Sequence, residues 1–343
     1  MDGLDQIMQE SIEIMEKDFY NKPFNFSYSS INKLLWNPQA FYQHYILGNR
    51  EEKTESYLVN GKVVHALLLE EDKFDEQFIV SPANLPTGST RSVVDRVYAH
   101  ATELQANGDQ RTEFVDFSDA VLDVLKDINL HQSLKTDQQR IDKMYTAEAM
   151  NYWEFLKSKG NKTLIDQETY EFCKTGVELV KLNKQVSTLM GKNTSEFDNV
   201  QIYNEYPLEC KINSKAFGLK GIVDNLVIDH DRKILYINDV KTTSKDLKDF
   251  PETVEFYNYW LQASIYASLV ATNYYQLMAE GYQIKFSFIV IDKNYQVYPF
   301  QVSDPTLMEW MNKLQSTLDK AEWHYVNKSY DLPYEFAVGS VIL

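Results

Sequence analysis

The spacing of apolar residues changes near position 200 of the chain. Before that point, apolar residues recur at every third or fourth position, which predicts helices. After it they alternate with polar residues, which predicts strands, before helical and strand-like segments alternate toward the end. The predicted helices cover 1–20, 31–37, 39–48, 56–71, 93–106, 118–190 (with a break near Gly160), 253–279 and about 305–326. The predicted strands cover 200–213, 216–228, 233–243, 283–291 and 295–302.

This order of elements predicts an α/β fold, with a small mixed central sheet flanked by helices and a largely helical N-terminal half. We expect residues 1–25 to form an acidic helical extension. Residues 26–330 are predicted to form a single domain with a helical insertion at about 82–195. The insertion would begin in the loop PANLPTGSTRS, which is rich in helix and strand breakers. Residues 331–343 are predicted to be a C-terminal tail.

Composition favours a globular protein with a substantial core, because 44% of the 343 residues are hydrophobic and 13% are aromatic. The two cysteines, Cys173 and Cys210, are too few for a disulfide scaffold, a four-cysteine zinc site or an iron–sulfur cluster. The first residues lack the apolar core of a secretion signal, and no run of 18 apolar residues occurs. These features predict a soluble protein of the cytoplasm, in a bacterial or phage-infected cell.

The chain is acidic, with a formal net charge of −16 from 34 Lys and Arg against 50 Asp and Glu. Nonspecific binding of nucleic acid needs clustered cations, so this balance argues against a protein that coats DNA. It leaves room for an enzyme, because a local basic groove can coexist with an acidic exterior. We therefore expect any contact with DNA to be confined to one place.

Two acids and a lysine lie on the predicted hairpin. Asp224 follows the apolar run GIV, and Asp239 follows ILYIN, where a half-buried strand would carry Val or Ile. Residues two apart on a strand share a face, so Asp239 and Lys241 point the same way. A buried carboxylate is costly unless it is paired, and metal coordination is a common solution. The alternative is that each aspartate simply ends a strand.

The ordered set of motifs resembles the PD-(D/E)XK nuclease superfamily, and within it the RecB-type branch that includes exonuclease VIII and phage recombination exonucleases. That branch carries an aspartate on one strand, Asp/Glu-x-Lys on the next, Gln-x-x-x-Tyr on the following helix, a Gly-x-x-x-His helix, and an opening Ser-x-Ser…Pro…Phe/Tyr segment. Here these correspond to Asp224, Asp239-Val240-Lys241, Gln262 and Tyr266, Gly61 and His65, and Ser27, Ser29, Pro38, Phe41 and Tyr42.

The resemblance implies a restriction-endonuclease-like core and a site that binds Mg²⁺ or Mn²⁺ through His65, Asp224, Asp239 and the Val240 carbonyl. Taken alone, His65 lies among apolar residues and could be a core histidine. Lys241 would position the attacking water and help to deprotonate it.

The resemblance also implies roles for residues around that core. Glu205 would be an additional acid, with Glu209 as a competitor on the same strand face. Gln262 and Tyr266 share a helix face, where they either border the site, contacting DNA or orienting Lys241, or pack the helix. Two lysine clusters, at Lys211, Lys215 and Lys220 and at Lys241, Lys245 and Lys248, would contact phosphates or form ordinary solvated edges. The DNA-contact candidates are Ser27, Ser29, Lys220, Thr242, Thr243 and Lys245.

The implied function is a metal-dependent exonuclease that degrades linear double-stranded DNA in recombination, repair or phage DNA metabolism. A structure-specific or single-strand endonuclease, and a catalytically idle protein that binds DNA or a partner, are the alternatives. Beyond DNA, the resemblance suggests a single-strand annealing or recombination protein and a second copy of the chain as partners.

No cysteine lies near residues 30–45 or after 210, and TGSTRS lacks the Gly-Lys-Ser/Thr ending of a phosphate loop. We therefore expect neither an iron–sulfur cluster nor ATP.

Overall fold

The structure is a computed structural model that describes residues 2–49, 56–82, 84–192 and 199–339, with the backbone alone described for 2–10, 56 and 57. The chain forms two compact units, Met1–Glu71 with Cys173–Leu343, and Asp72–Phe172. The second unit overlaps the insertion predicted at 82–195 but begins and ends earlier. It ends earlier because the last part of the helical stretch packs in the first unit, where Gly176 lies against Ile291 and Asn183 donates a hydrogen bond to the Val297 carbonyl.

The helices and the main strands occur in the predicted order, but the stretch predicted as helical over 118–190 is divided into several shorter helices. The α-helices are α1 Asp2–Tyr20, α2 Tyr28–Trp36, α3 Pro38–Phe41, α4 Ser56–Leu69, α5 Phe74–Gln77, α6 Gly88–Ala106, α7 Ser118–Asp127, α8 Asp137–Met144, α9 Ala147–Lys159, α10 Gln167–Leu182, α11 Lys184–Leu189, α12 Phe250–Phe256, α13 Tyr259–Asn273, α14 Tyr275–Ala279, α15 Asp304–Asn327 and α16 Tyr334–Val338. The strands are β1 Asn25–Phe26, β2 Phe78–Val80, β3 Thr163–Ile165, β4 Val200–Lys211, β5 Gly218–Asp229, β6 Ile234–Thr243, β7 Gln283–Asp292 and β8 Val297–Val302.

A mixed sheet organises the first unit. Its strands lie in the order β4-β5-β6-β7-β8, antiparallel except for the parallel pair β6 and β7, and β1 runs parallel to the start of β5. The crossover from β6 to β7 contains α12, α13 and α14, as a parallel connection requires. This arrangement confirms the predicted α/β fold with a mixed central sheet flanked by helices.

Helix α13 is the central helix of the first unit. Nearly all its residues from Trp260 to Val270 are buried, because one side packs on the sheet and another on α15. The close approach to β5 depends on Gly221, where a Cβ atom would lie 2.8 Å from the Tyr266 ring. The sequence pattern predicted one helix over 253–279. The structure instead divides it at Asn258, whose backbone is left-handed with φ of 55°.

A row of asparagine amides crosses three strands of the sheet. Asn204, Asn225 and Asn238 are in register on β4, β5 and β6. The Asn238 amide donates to Asn225 (2.8 Å), and the Asn225 amide donates to Asn204 (2.9 Å). The ends of the row reach two helices, because Asn204 donates to the Leu69 carbonyl and Asn238 to the Leu189 carbonyl. The row therefore ties the C-terminal ends of α4 and α11 to the sheet.

Helix α1 packs against residues near the end of α15 within the first unit. Phe19 and Tyr20 of α1 contact Tyr325 of α15, and Tyr20 shares a 2.6 Å hydrogen bond with Tyr330. The segment predicted as a tail contains α16. No helix among the described residues is long and apolar enough to span a membrane.

The second unit is mainly helical and has its own core. Trp153 of α9 is buried against Phe114 and Phe117, and Val121 of α7 lies in the same cluster. Three-residue strands β2 and β3 pair in parallel. These strands were not predicted, because three residues are too few to show the alternation of apolar and polar positions that indicates a strand.

Candidate active site

Strands β5 and β6 separate where the acidic residues lie. Their pairing ends at Asn225 and Asn238. One residue further along, the Asp224 carboxylate accepts a 2.7 Å hydrogen bond from the Val240 N–H. The carboxylate thus accepts the hydrogen bond of a backbone N–H that no longer pairs with the neighbouring strand, and the two strands separate here.

His65 lies between two carboxylates and a backbone carbonyl. Its Nδ1 is 3.0 Å from Glu205 Oε1, and its Nε2 is 3.1 Å from the Val240 oxygen and 3.5 Å from Asp224 Oδ2. The ligand atoms of His65, Glu205 and Asp224 lie within 4.8 Å of one another. Helix α4, β4, β5 and β6 each contribute one group, so the cluster exists only in the folded unit.

Lys241 forms a buried ion pair beside that cluster. Its Nζ is 2.5 Å from Asp239 Oδ2, and the Asp239 side chain is fully buried. The Gln262 amide donates to Asp239 Oδ1 (2.7 Å) and to the Tyr266 hydroxyl (3.1 Å). Of the four predicted metal ligands, Asp239 is therefore the one engaged by Lys241 and Gln262, while Glu205 joins the histidine cluster.

The pKa values at the site reflect burial and close charges. Burial raises the pKa of Asp224, and it raises the pKa of Asp239 to about 6 against the opposing effect of Lys241. Burial would lower the pKa of His65, but the Asp224 and Glu205 carboxylates raise it to about 9. For Lys241 the carboxylates likewise outweigh burial and raise the pKa. Both cations therefore keep their protons at neutral pH.

Glu205 has an unusual backbone for a strand residue. Its φ is 44°, in the left-handed region that side chains with a Cβ rarely adopt. Its neighbours Asn204 and Tyr206 are paired normally with β5. This local turn aims the Glu205 carboxylate at His65, whereas Glu209 on the same strand accepts a hydrogen bond from Asn25 instead. The two candidates thus lie in different surroundings.

Backbone strain at Glu205 predicts an order of stabilities for two variants. Glu205→Gly and Glu205→Ala both remove the carboxylate, but only glycine adopts a positive φ without a Cβ clash. We expect the glycine variant to be more stable by about 1 kcal/mol. Urea unfolding midpoints of the two variants measure the difference. An alanine variant of equal or greater stability would show that the backbone at this position is not strained.

A cavity of about 1260 Å³ is lined by His65, Val240, Lys241, Gln262 and Tyr266. All six DNA-contact candidates also line it: Ser27, Ser29, Lys220, Thr242, Thr243 and Lys245. Ser27 also caps α2, because its hydroxyl accepts from the Ser30 N–H (3.3 Å). The cavity's hydroxyl groups and ammonium groups are of the kinds that contact the phosphates of a nucleic acid.

Lys215 was a candidate phosphate contact, and the structure contradicts that assignment. Its ammonium pairs with Asp319 and, at 2.8 Å, with Glu322, and its side chain is only 6% exposed. A cation held by two carboxylates on α15 is not available to a phosphate. Lys220 lies 5.9 Å from the Phe24 ring centroid and lines the cavity.

The cavity contains aromatic residues that the sequence motifs did not single out. Tyr28, Tyr257 and Tyr259 line it, and Lys241 Nζ lies 4.9 Å from the centroid of the Tyr259 ring. A signal was present in the run Phe256-Tyr257-Asn258-Tyr259-Trp260, where four of five residues are aromatic. Such a run is more often core than site, which is why spacing alone did not reveal it.

A family model of the PD-(D/E)XK nuclease superfamily matches residues 25–327. The chain belongs to this superfamily. A solved structure from Eubacterium rectale, of a protein provisionally named an exonuclease, is similar to the chain with 12% sequence identity and a TM-score of 0.46, over 89% of this chain and 82% of that one. No curated protein matches the chain.

PD-(D/E)XK nucleases use divalent metals, and the residues present fit such an ion. Carboxylate and carbonyl oxygens with one imidazole form a donor set that suits Mg²⁺ or Mn²⁺. The 3.1 and 3.5 Å separations of His65 Nε2 from the Val240 and Asp224 oxygens are near the roughly 3 Å between adjacent ligands of a small octahedral ion. The His65 proton lies between the same acceptors, so a metal ion would take its place.

Proposed function

We propose that this PD-(D/E)XK nuclease is a metal-dependent deoxyribonuclease, and specifically an exonuclease that degrades linear double-stranded DNA. The observation that carries the proposal is the proximity of two arrangements beside one cavity, which His65, Val240 and Lys241 line. One is the cluster of His65, Glu205 and Asp224 with the Val240 carbonyl. The other is the buried ion pair of Lys241 and Asp239. Together they combine a site for Mg²⁺ or Mn²⁺ with a fixed cation, as phosphodiester hydrolysis requires.

The residues of the chain have separate roles in this proposal. His65, Asp224 and the Val240 carbonyl would hold the metal, with Glu205 and Asp239 as further carboxylates. When bound, the ion would act as a Lewis acid on the scissile phosphate and activate a water molecule. The Lys241 ammonium positions that water and stabilises the negative charge that develops on the phosphate. Because the neighbouring carboxylates raise its pKa, Lys241 carries its positive charge at neutral pH.

Gln262 and Tyr266 are positioning residues. The Gln262 amide holds Asp239 in the orientation that faces Lys241, and the Tyr266 hydroxyl accepts from the same amide. Tyr266 is fixed in turn by its contact with Gly221. The DNA backbone would run through the cavity and contact residues that line it: Ser27, Ser29, Lys220, Thr242, Thr243 and Lys245.

Exonuclease action is proposed from the resemblance of the ordered motifs to the RecB-type branch. The cellular role would be in recombination, repair or phage DNA metabolism, in the cytoplasm. A single-strand annealing or recombination protein would then use the single strands produced, and a second copy of the chain could enclose the duplex. These finer assignments rest on the same motifs, from Ser27 to Tyr266.

Substrate topology tests the proposal most directly. We expect linear duplex DNA to be degraded in Mg²⁺ or Mn²⁺, while covalently closed circles stay intact, because an exonuclease needs an end. Gel analysis of linear, nicked and circular DNA, with EDTA as the control, measures this, and end-labelled substrates give the polarity. Cutting of closed circles would instead identify an endonuclease of the same fold. The absence of any cutting would identify a catalytically idle protein.

A further inference from the structure

Four aromatic rings form a continuous series on the surface of the first unit. We call this series the aromatic track, and it consists of Trp36, Phe256, Tyr257 and Tyr259. The ring centroids of consecutive members are 5.9, 4.9 and 5.6 Å apart, and the last pair is stacked with an interplanar angle of 26°. The outer three are well exposed, at 59%, 58% and 44%. Adjoining exposed rings of this size mark a binding surface.

The inner end of the aromatic track reaches the reaction centre. Tyr257 and Tyr259 line the cavity, and the Tyr259 ring lies under the Lys241 ammonium at 4.9 Å. The outer end, at Trp36, stands on the last residue of α2. The track therefore leads from the protein surface to the catalytic lysine, and a molecule that occupies the cavity can extend along it.

The backbone under the aromatic track is held in place. The left-handed Asn258 turns the chain between α12 and α13, and its side chain accepts from Trp260 Nε1 (3.0 Å) and donates to Asn32 (2.8 Å). The Tyr28 hydroxyl donates to the Tyr257 carbonyl at 2.6 Å. These bonds join the turn to α2, which carries Trp36. The rings are thus exposed on a fixed support.

A cation accompanies the rings. Lys245 Nζ lies 5.8 Å from the Phe256 ring centroid, and Lys245 itself lines the cavity. Aromatic faces for bases, next to a cation for the backbone, are the combination by which proteins bind single-stranded nucleic acid. In a chain of net charge −16, this placement beside the cavity favours DNA as the occupant over an acidic protein surface.

We propose that the aromatic track stacks the unpaired bases of the DNA strand that is being cut. This inference rests on the proposed nuclease function and deepens it. The strand must reach Lys241 with its bases unpaired, so a duplex end has to open before cleavage. The rings would hold the opened bases, while Lys245 and the threonine-lined wall contact the phosphates. The substrate class at the reaction centre is therefore single-stranded.

Binding of abasic DNA separates stacking from phosphate contacts. In the full-length Lys241→Met background, in which cleavage is strongly slowed, fluorescence anisotropy gives the affinity for a labelled single strand and for the same strand lacking several bases. We expect Trp36→Ala and Phe256→Ala each to weaken binding of the complete strand about tenfold. The affinity for the abasic strand should not change. Trp36→Phe and Phe256→Tyr should restore the affinity. Tyr275→Ala removes an equally exposed ring outside the track and should change nothing.

Two further measurements sharpen the test. Phe256→Ala should leave the salt dependence of binding unchanged, whereas Lys245→Met should reduce its slope by about one. In the otherwise unchanged protein, a duplex with a few unpaired terminal bases should be cut faster than a fully paired one, and Trp36→Ala with Phe256→Ala should slow the cleavage of both, because neither substrate can then stack its unpaired bases. Trp36 and Phe256 are exposed, so their substitution should not disturb the fold, and circular dichroism checks that the variants fold.

Three outcomes would overturn the inference. One is equal affinity for complete and abasic strands, and another is equal weakening of both by the alanine variants. The third is a dimer that the alanine variants convert to a monomer in light scattering, because the track would then be an interface between copies. Failure of the proposed nuclease function would be recognised separately. In that case the unchanged protein would cleave no DNA, whether or not the single strand binds.

Discussion

Replacing Lys241 with methionine should reduce the rate of DNA cleavage by about a hundred- to a thousandfold, the loss typical when one electrostatic donor to a transition state is removed. Methionine keeps the unbranched shape and the apolar contacts of the side chain but has no charge. The lysine side chain is only 16% exposed and is 2.5 Å from Asp239, so few water molecules can replace its ammonium. Single-turnover cleavage of end-labelled DNA measures the loss.

Lys245→Met is the matched control, since it makes the same substitution four residues along the chain on the exposed wall of the cavity. We expect it to weaken DNA binding with little change in the maximal rate. The Lys241→Met variant should still fold, because Asp239 can take up a proton or coordinate the metal once its partner is gone. Circular dichroism checks this. Cleavage by folded Lys241→Met within tenfold of the unchanged protein would contradict the role assigned to Lys241.

The second large effect that we expect is the loss of cleavage and of stability when the divalent metal is removed. EDTA should abolish cleavage, and saturating Mg²⁺ or Mn²⁺ should stabilise the folded protein by about 2.7 kcal/mol at one hundred times the dissociation constant. Asp224→Asn should abolish both the cleavage and the stabilisation by metal, since it deletes one charge from the metal site. Its amide oxygen can still accept the hydrogen bond from Val240, so the strands keep their arrangement. Scanning calorimetry with and without metal measures the shift.

Glu209→Gln is the control for this experiment, because Glu209 lies on the same strand as Glu205 but contacts Asn25. It should keep the full metal-induced shift. An Asp224→Asn variant with an undiminished shift would mean that the ion binds elsewhere. A protein that shows no shift at all in metal would remove the basis for the whole centre.

The sequence predicted the strands that carry Asp224, Asp239 and Lys241, since a period of two is a strong and local signal. It did not place His65, which lies on a helix about 160 residues earlier and reaches Asp224 only through tertiary packing. That assignment depended on the resemblance to a family. Spacing also could not choose between Glu205 and Glu209, because residues four apart on a strand share a face. A left-handed backbone at Glu205 separates them.

Other features escaped prediction for similar reasons. Lys215 has the sequence context of a phosphate contact, but its partners lie about one hundred residues away on α15. The helix predicted over 253–279 follows an unbroken apolar pattern, and the left-handed turn at Asn258 depends on a bond to Asn32, far away in sequence. In each case the deciding contact is remote, so no local pattern contains it.

The asparagine row has a consequence for how the active site is assembled. Each acid of the site has an asparagine of the row as its sequence neighbour, in the pairs Asn204–Glu205, Asp224–Asn225 and Asn238–Asp239. Adjacent residues on a strand face opposite sides, so a shift of one residue between two of these strands would separate the amides as it displaced the acids. Each buried amide left without a partner costs roughly 1–3 kcal/mol. Misaligned hairpins are therefore disfavoured, and the asparagine side chains stabilise the alignment of the strands that carry the acids of the candidate site.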